Sequence, residues 1–208
     1  ALIYPPSNFA STEELIEEAR AMAPYRGLYI THMRSEADRL LEAIDEAIRI
    51  GVEGGVPVEI FHLKAAGRCN WPKLAQAVAK IDSARRRGID VQANMYPYAA
   101  GGTGLTACLP PDVSADGKLF DNLRDSSMRR RIREEVMRDS GEWENMCLLA
   151  TPEGVLIART TSPANAQTGV AGTPVSATQF GVQRYAGDPD SKSDAAAYTD
   201  ASKAQYVP

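Results

Sequence analysis

The chain alternates between short apolar runs and longer stretches in which apolar positions recur every three or four residues. The first periodic stretch follows a proline-containing loop over residues 1–10. Ser11, with Glu14 three places on, forms a capping box, and Leu15, Ile16, Ala19 and Met22 or Ala23 fall on one side of a helix predicted over 12–23. Pro24 and Gly27 stop it. Gly27–Met33 reads as a strand rich in Tyr, Ile and Thr, and alternation places Leu28, Ile30, His32 and Arg34 on one side. Ser35 then offers a cap for a second helix, with Asp38 in its first turn. Ala37, Leu40, Leu41, Ile44, Ala47 and Ile48 form its single apolar stripe, and Gly51 is placed to end it.

The near-continuous apolar run Val56–Leu63 predicts a parallel strand covered on both faces, with Val58, Ile60, His62 and Lys64 sharing a side. Trp71-Pro72 opens a third helix carrying Leu74, Ala77, Val78, Ile81 and Ala84, whose basic end Arg85–Arg87 suits the helix dipole. Gly88 ends it, and Ile89–Met95 is a third strand closing in Tyr96-Pro97-Tyr98. Connections this long exclude hairpins, so the strands are expected to pair in parallel with right-handed crossovers. Either an open α/β sheet or a slice of an eight-stranded barrel satisfies that pattern.

Residues 99–111 read as a loop and 121–139 as a helix with Leu123, Met128, Ile132, Val136 and Met137 on its apolar side. Its Arg129–Arg131 cluster, balanced by Glu134 and Glu135, reads as a solvated face. Two apolar runs, Met146–Ala150 and Val155–Ala158, flank a turn over 151–154. From Thr161 to Pro208 there is no Leu, Ile or Met, so this tail is expected to stay extended or poorly ordered.

Composition narrows the class. The 208 residues, 44% apolar and 24% charged, are ordinary for a soluble globular protein. A net charge of −4 gives no reason to expect nucleic acid or an anionic membrane as partner. No run approaches the roughly 18–20 apolar residues of a membrane span, and no signal-peptide pattern opens the chain. The first residue is Ala, in mid-motif, which suggests a fragment or a processed product from which a targeting segment has been lost. Cys69, Cys108 and Cys147 have no CxxC spacing, which argues against a zinc knuckle or a disulfide framework and for a cytoplasmic setting. The oligomeric state is left open.

The chemistry concentrates in the two histidines of the chain. His32 and His62 each end a predicted strand, where a parallel α/β barrel places its functional groups. Two neutral imidazoles on neighbouring strands are candidate zinc ligands. Each is followed two residues later by a cation, Arg34 or Lys64, which suits an anionic substrate.

The segments LIYPPSNFASTEEL, YITHMRSEADRLLEAIDEAI, VPVEIFHLKAAG and DVQANMYPYAAGGTGL, with a weaker match over 143–158, resemble in order the central part of the N-acyl-D-amino-acid deacylases (D-aminoacylases) of the amidohydrolase superfamily. The resemblance implies a (β/α)8 barrel in which the three strands are about the fifth to seventh. It implies residues 1–98 as the partial barrel, 99–160 as a lid-like insertion and 161–208 as a divergent tail. It also implies His32 and His62 as zinc ligands, Tyr4, Lys64 and Tyr96 as holders of the substrate carboxylate, and Arg34 as a residue behind the ligands or against the substrate. The implied activity is zinc-dependent hydrolysis of the amide bond of N-acyl-D-amino acids. A dihydropyrimidinase-like enzyme, an N-acyl-D-glutamate or D-aspartate deacylase, or a non-catalytic fragment are the alternatives. The family's His-x-His pair, its earlier cysteine or carboxylate ligand and its aspartate base have no counterpart in the sequence. No catalytic base is therefore assigned, and the chain is expected to be an inactive fragment.

Overall fold

A computed structural model describes residues 1–97, 100–138, 141, 143–151, 154–155 and 183–184. The chain divides into two compact units, Ala1–Tyr96 and Pro97–Pro208. In the first, helices α1 (Thr12–Met22), α2 (Leu40–Gly54) and α3 (Lys73–Arg86) alternate with strands β1 (Tyr29–Thr31), β2 (Val58–Ile60) and β3 (Val91–Ala93). The strands form one parallel sheet in the order β1-β2-β3, with Thr31 beside Ile60 and Ile60 beside Ala93. The fold class is α/β with a parallel sheet, as the alternation of patterns predicts.

Among the described residues, helices pack against one face of the sheet. Val58, Ile60 and Val91 join Leu40, Ala43, Ile44, Ala47 and Ile48 of α2 and Ala77, Ile81 and Ala84 of α3 in one apolar core. A second cluster forms where Leu15, Ile16 and Ala19 of α1 meet Leu2, Ile50 and Val56. On the other face Ile30 is 46% exposed, beside Glu59 in register and Gln92 beyond it. This corrects the expectation of strands covered on both faces: the apolar run at 56–63 reflects one packed face and the strand ends, not a doubly covered strand. Leu28 and Ile30, expected to share a side, are both about half-exposed, while Thr31 and Met33 are buried.

Helix boundaries differ from the sequence pattern in instructive ways. Ser11 caps α1 by accepting from Glu14 N at 3.1 Å, as expected. Ser35 caps no helix start; its hydroxyl accepts from Ala37 N at 3.2 Å and Arg39 N at 3.3 Å, and α2 begins only at Leu40. Gly51 does not end α2, which runs three residues further and closes on Gly55 in the left-handed conformation (φ 70°). Gly51 is small for another reason: a Cβ there would lie 2.2 Å from Val58 Cγ2, so the glycine lets α2 approach β2. In α3, Leu74 and Val78 are exposed, and the buried positions are Ala77, Ile81 and Ala84.

In the second unit β4 (Ala100–Gly101) pairs antiparallel with β5 (Gln183–Arg184). The helix predicted over 121–139 is two, α4 (Leu119–Arg124) and α5 (Ser126–Val136). The break falls at Asp125, extended at ψ 127°, whose carboxylate accepts from Met128 N at 2.8 Å and so caps α5. Within 99–111 the chain forms a 3-10 turn, Leu105–Cys108, which packs against α6 (Met146–Ala150). Most of the run 155–158 and, apart from Gln183–Arg184, the polar tail lie outside the described residues. Among the described residues no helix is long and apolar enough to cross a membrane.

Candidate metal centre

The carboxyl ends of β1 and β2 and the loops that leave them converge in the first unit. His32 follows the last residue of β1, and Leu2 N donates to its carbonyl at 2.9 Å, so the N-terminal loop is tied to the strand end. That tie brings the Tyr4 ring edge-on to His32, with centroids 5.3 Å apart. His62 lies two residues beyond β2. Strict alternation would send it to the side opposite His32, because Thr31 pairs with Ile60 and His32 therefore matches Phe61. The chain re-aims it instead: His62 takes a left-handed backbone (φ 41°), and its N–H donates to Asn94 Oδ1 at 2.8 Å. The imidazole rings end 4.5 Å apart, nearly perpendicular.

The residue that joins them is Glu36, which sequence reasoning passed over. Only 2% exposed, it sits in the turn between β1 and α2, where the late start of the helix leaves its side chain clear of the helix surface. Its backbone carbonyl accepts from Ala66 N at 2.7 Å, which joins the loops after β1 and β2. Glu36 Oε1 lies 2.9 Å from His62 Nδ1, and Oε2 lies 3.6 Å from His32 Nε2. His32, Glu36 and His62 each offer a ligand atom, all within 4.8 Å of one another. The available signal was an acidic residue four places after His32, in a stretch that reads equally well as a helix first turn.

Lys64 closes the group. Its ammonium donates to both Glu36 oxygens at 2.7 Å, lies 2.8 Å from His62 Nδ1, and sits 5.5 Å from the centre of the Tyr96 ring. Tyr96 also faces His62, with ring centroids 6.4 Å apart. The structure thus brings together His32, His62, Tyr4, Lys64 and Tyr96. Arg34 is differently employed. Its Nε meets the Glu46 carboxylate at 3.0 and 3.1 Å, and its terminal nitrogens donate to the carbonyls of Asn8 and Ala10 at 3.0 and 2.9 Å. It fastens the loop that carries Tyr4 to α2.

The electrostatics suit a cation. Burial holds His32 neutral, with its pKa pushed down to about 4; Glu36 opposes that shift, while His62 and Lys64 add to it. Burial alone would raise the Glu36 carboxyl, but the His62 hydrogen bond and the charge of Lys64 hold it below the usual range. The site therefore offers a neutral imidazole and an ionised carboxylate. His32 Nε2 is buried with no hydrogen-bond partner among the described residues, an atom whose lone pair a metal would satisfy. Two imidazoles and one carboxylate fit zinc in number and type.

No protein-family model matches the chain. Curated relatives do. D-aminoacylase of Alcaligenes xylosoxydans xylosoxydans is 42% identical over 102 residues, which is 49% of this chain and 21% of the relative. From the same organism, N-acyl-D-glutamate deacylase is 36% identical over 104 residues and N-acyl-D-aspartate deacylase 34% over 103. The match thus spans about a fifth of each relative's length. A solved D-aminoacylase structure is 42% identical over 48% of this chain and 21% of its own, with a TM-score of 0.46. N-acyl-D-glutamate deacylase from Bordetella bronchiseptica, solved with zinc and a phosphonate inhibitor, is 32% identical over 55% of this chain and 23% of its own, with a TM-score of 0.48. The resemblance to the N-acyl-D-amino-acid deacylases read from the motifs holds over about half of the chain.

Proposed function

We propose that this chain carries part of the active site of a zinc-dependent hydrolase acting on the amide bond of N-acyl-D-amino acids. The observation that supports it most is the convergence of His32, Glu36 and His62 within 4.8 Å in a chain half of which is similar to D-aminoacylase. In this reading β1 to β3 correspond to about the fifth to seventh strands of a (β/α)8 barrel. His32 and His62 hold the metal. When bound, zinc supplies an activated water and polarises the scissile carbonyl. Lys64, with Tyr4 and Tyr96 on either side of the histidines, fixes the amino-acid carboxylate and so selects the hand of the substrate. Arg34 acts at one remove, by holding the loop that presents Tyr4. The sequence has no counterpart of the family's proton-shuttling aspartate, so the 208-residue chain binds metal and substrate without turning the substrate over. A cytoplasmic setting belongs to the same proposal, in keeping with three free cysteines.

Zinc titration of the purified chain tests it. One equivalent should bind, and His32→Ala or His62→Ala should remove it. Absence of zinc binding refutes the metal reading, and turnover of an N-acetyl-D-amino acid that His62→Ala abolishes refutes the inactivity. The similarity to the glutamate and aspartate deacylases supports a second reading, an acidic side-chain specificity. Comparing the binding of N-acetyl-D-methionine with that of N-acetyl-D-glutamate separates the two.

A further inference from the structure

His62 is an extra residue in the pairing of β2 with β3. Val58 N donates to Asp90 O at 2.9 Å, and Asn94 N donates to Ile60 O at 3.1 Å. In a parallel pair such bonds recur at every second residue, so the N–H due at Asn94 O is that of His62. Leu63 N takes that place instead, at 2.8 Å. His62 is thus a one-residue bulge, in a left-handed conformation (φ 41°) that favours glycine and strains a histidine. Its displaced N–H is taken up by the Asn94 side chain, whose Oδ1 accepts it at 2.8 Å. The other end of that carboxamide, Nδ2, donates to Glu59 Oε1 at 2.7 Å. The two partners fix the orientation of the amide, since the N–H needs its oxygen and the carboxylate needs its nitrogen.

We propose that Asn94, oriented by Glu59, is a positioning residue for His62: it stabilises the bulge that turns the imidazole toward His32 and Glu36. The proposal rests on the reading of His32 and His62 as metal ligands, and it holds whichever ring nitrogen of His62 meets the metal. Without the bulge, strict alternation sends His62 to the side opposite His32. The bulge carries two costs, a side chain on a left-handed backbone and an N–H outside the ladder, and the Asn94 carboxamide offsets both. Asn suits the place because its side chain accepts and donates at once. Leu does neither, and an ionised Asp has no proton to offer Glu59. Glu59, in register with Ile30 and Gln92, therefore reaches the candidate metal centre through Asn94 and the His62 backbone.

Zinc affinity measured against a chromophoric chelator tests this with the full chain, at one fixed pH, in wild type, His62→Ala, Asn94→Leu and Asn94→Asp/Glu59→Gln. Asn94→Leu should weaken zinc about tenfold, the scale of one strained left-handed residue. The double variant keeps the net charge and reverses donor and acceptor between the two side chains. Asp then accepts from both the His62 N–H and the Gln amide, so zinc should bind within about threefold of wild type. Asn94 is exposed, so neither change opens the core, and far-ultraviolet dichroism reports the fold of each variant. In the metal-free wild type the His62 backbone amide should exchange slowly with deuterium, which tests the hydrogen bond even where a variant fails to fold. Its ¹H resonance should move upfield in Asn94→Leu and return in the double variant. Unchanged zinc affinity in folded Asn94→Leu, a folded double variant as weak as Asn94→Leu, or an unprotected His62 amide in wild type overturns the proposal and leaves the metal site standing. A wild-type chain that binds no zinc, or binding that survives in His62→Ala, overturns the metal reading and this role with it.

Discussion

Glu36→Gln is the sharpest perturbation of the metal-free site. The carboxylate is 2% exposed and holds the Lys64 ammonium at 2.7 Å through both oxygens. At an effective dielectric near 20, opposite charges at that distance attract by about 6 kcal/mol, most of which offsets the cost of taking both groups out of water. The net value of the pair is therefore small, but the cost of breaking it is not. Gln keeps one carbonyl acceptor and leaves the ammonium, whose side chain is 16% exposed, without a counter-charge, so the loss should be about 2–3 kcal/mol. Lys64→Met strands the more deeply buried carboxylate and should cost about 3–5 kcal/mol.

The double variant Glu36→Gln/Lys64→Met leaves no charge unpaired between these two positions. Its loss should fall short of the sum of the single losses by about 2 kcal/mol or more. Urea unfolding followed by circular dichroism, in the presence of a chelator, measures all four stabilities. If the losses add within about 0.5 kcal/mol, or if Glu36→Gln is silent, the buried pair does not hold the loops after β1 and β2 together.

Acid should destabilise the metal-free chain. The unfolded chain protonates His32 near its ordinary value of 6.5, whereas the folded chain resists until about 4, so stability falls as pH drops through that window, by about 3 kcal/mol in total. The depressed Glu36 carboxyl adds a loss in the same direction as it protonates, and equal urea midpoints at pH 7.5 and 4.5 would show that His32 is not held neutral. Gly51→Ala should cost about 1–3 kcal/mol by driving a methyl into Val58, and a thermal melt within a degree of wild type would contradict the close approach of α2 to β2. Arg34→Lys cannot reproduce the three-way contact with Glu46, Asn8 and Ala10, so limited proteolysis should cut faster within residues 1–10, with zinc stoichiometry unchanged.

What could be read from the sequence was whatever repeats. Helices and strands of the first unit announce themselves because α2 buries every third or fourth residue against β2, and that burial leaves a periodic trace. The half-exposed sheet left none, since Ile30 and Phe61 are apolar without being covered. The histidines were found by rarity and by their place at strand ends, and strict alternation alone would have sent them to opposite sides of the sheet. His62 reaches His32 through a left-handed residue after the strand has ended, and alternation says nothing there. Glu36 was invisible for a related reason. Its role depends on α2 starting at Leu40 rather than after Ser35, and that delay is set by Ala66 N and Ser35 Oγ, contacts between loops rather than within a periodic element. Arg34 shows the converse. Its position beside His32 in the sequence suggested the site, while its hydrogen bonds run to Asn8, Ala10 and Glu46. The chemistry of this unit is thus assembled by irregular residues at the ends of regular elements. There the backbone can turn a side chain by means that no spacing rule records, and substitutions at Ser35 or Asn94 should disturb the candidate metal centre as surely as changes to His32, Glu36 or His62.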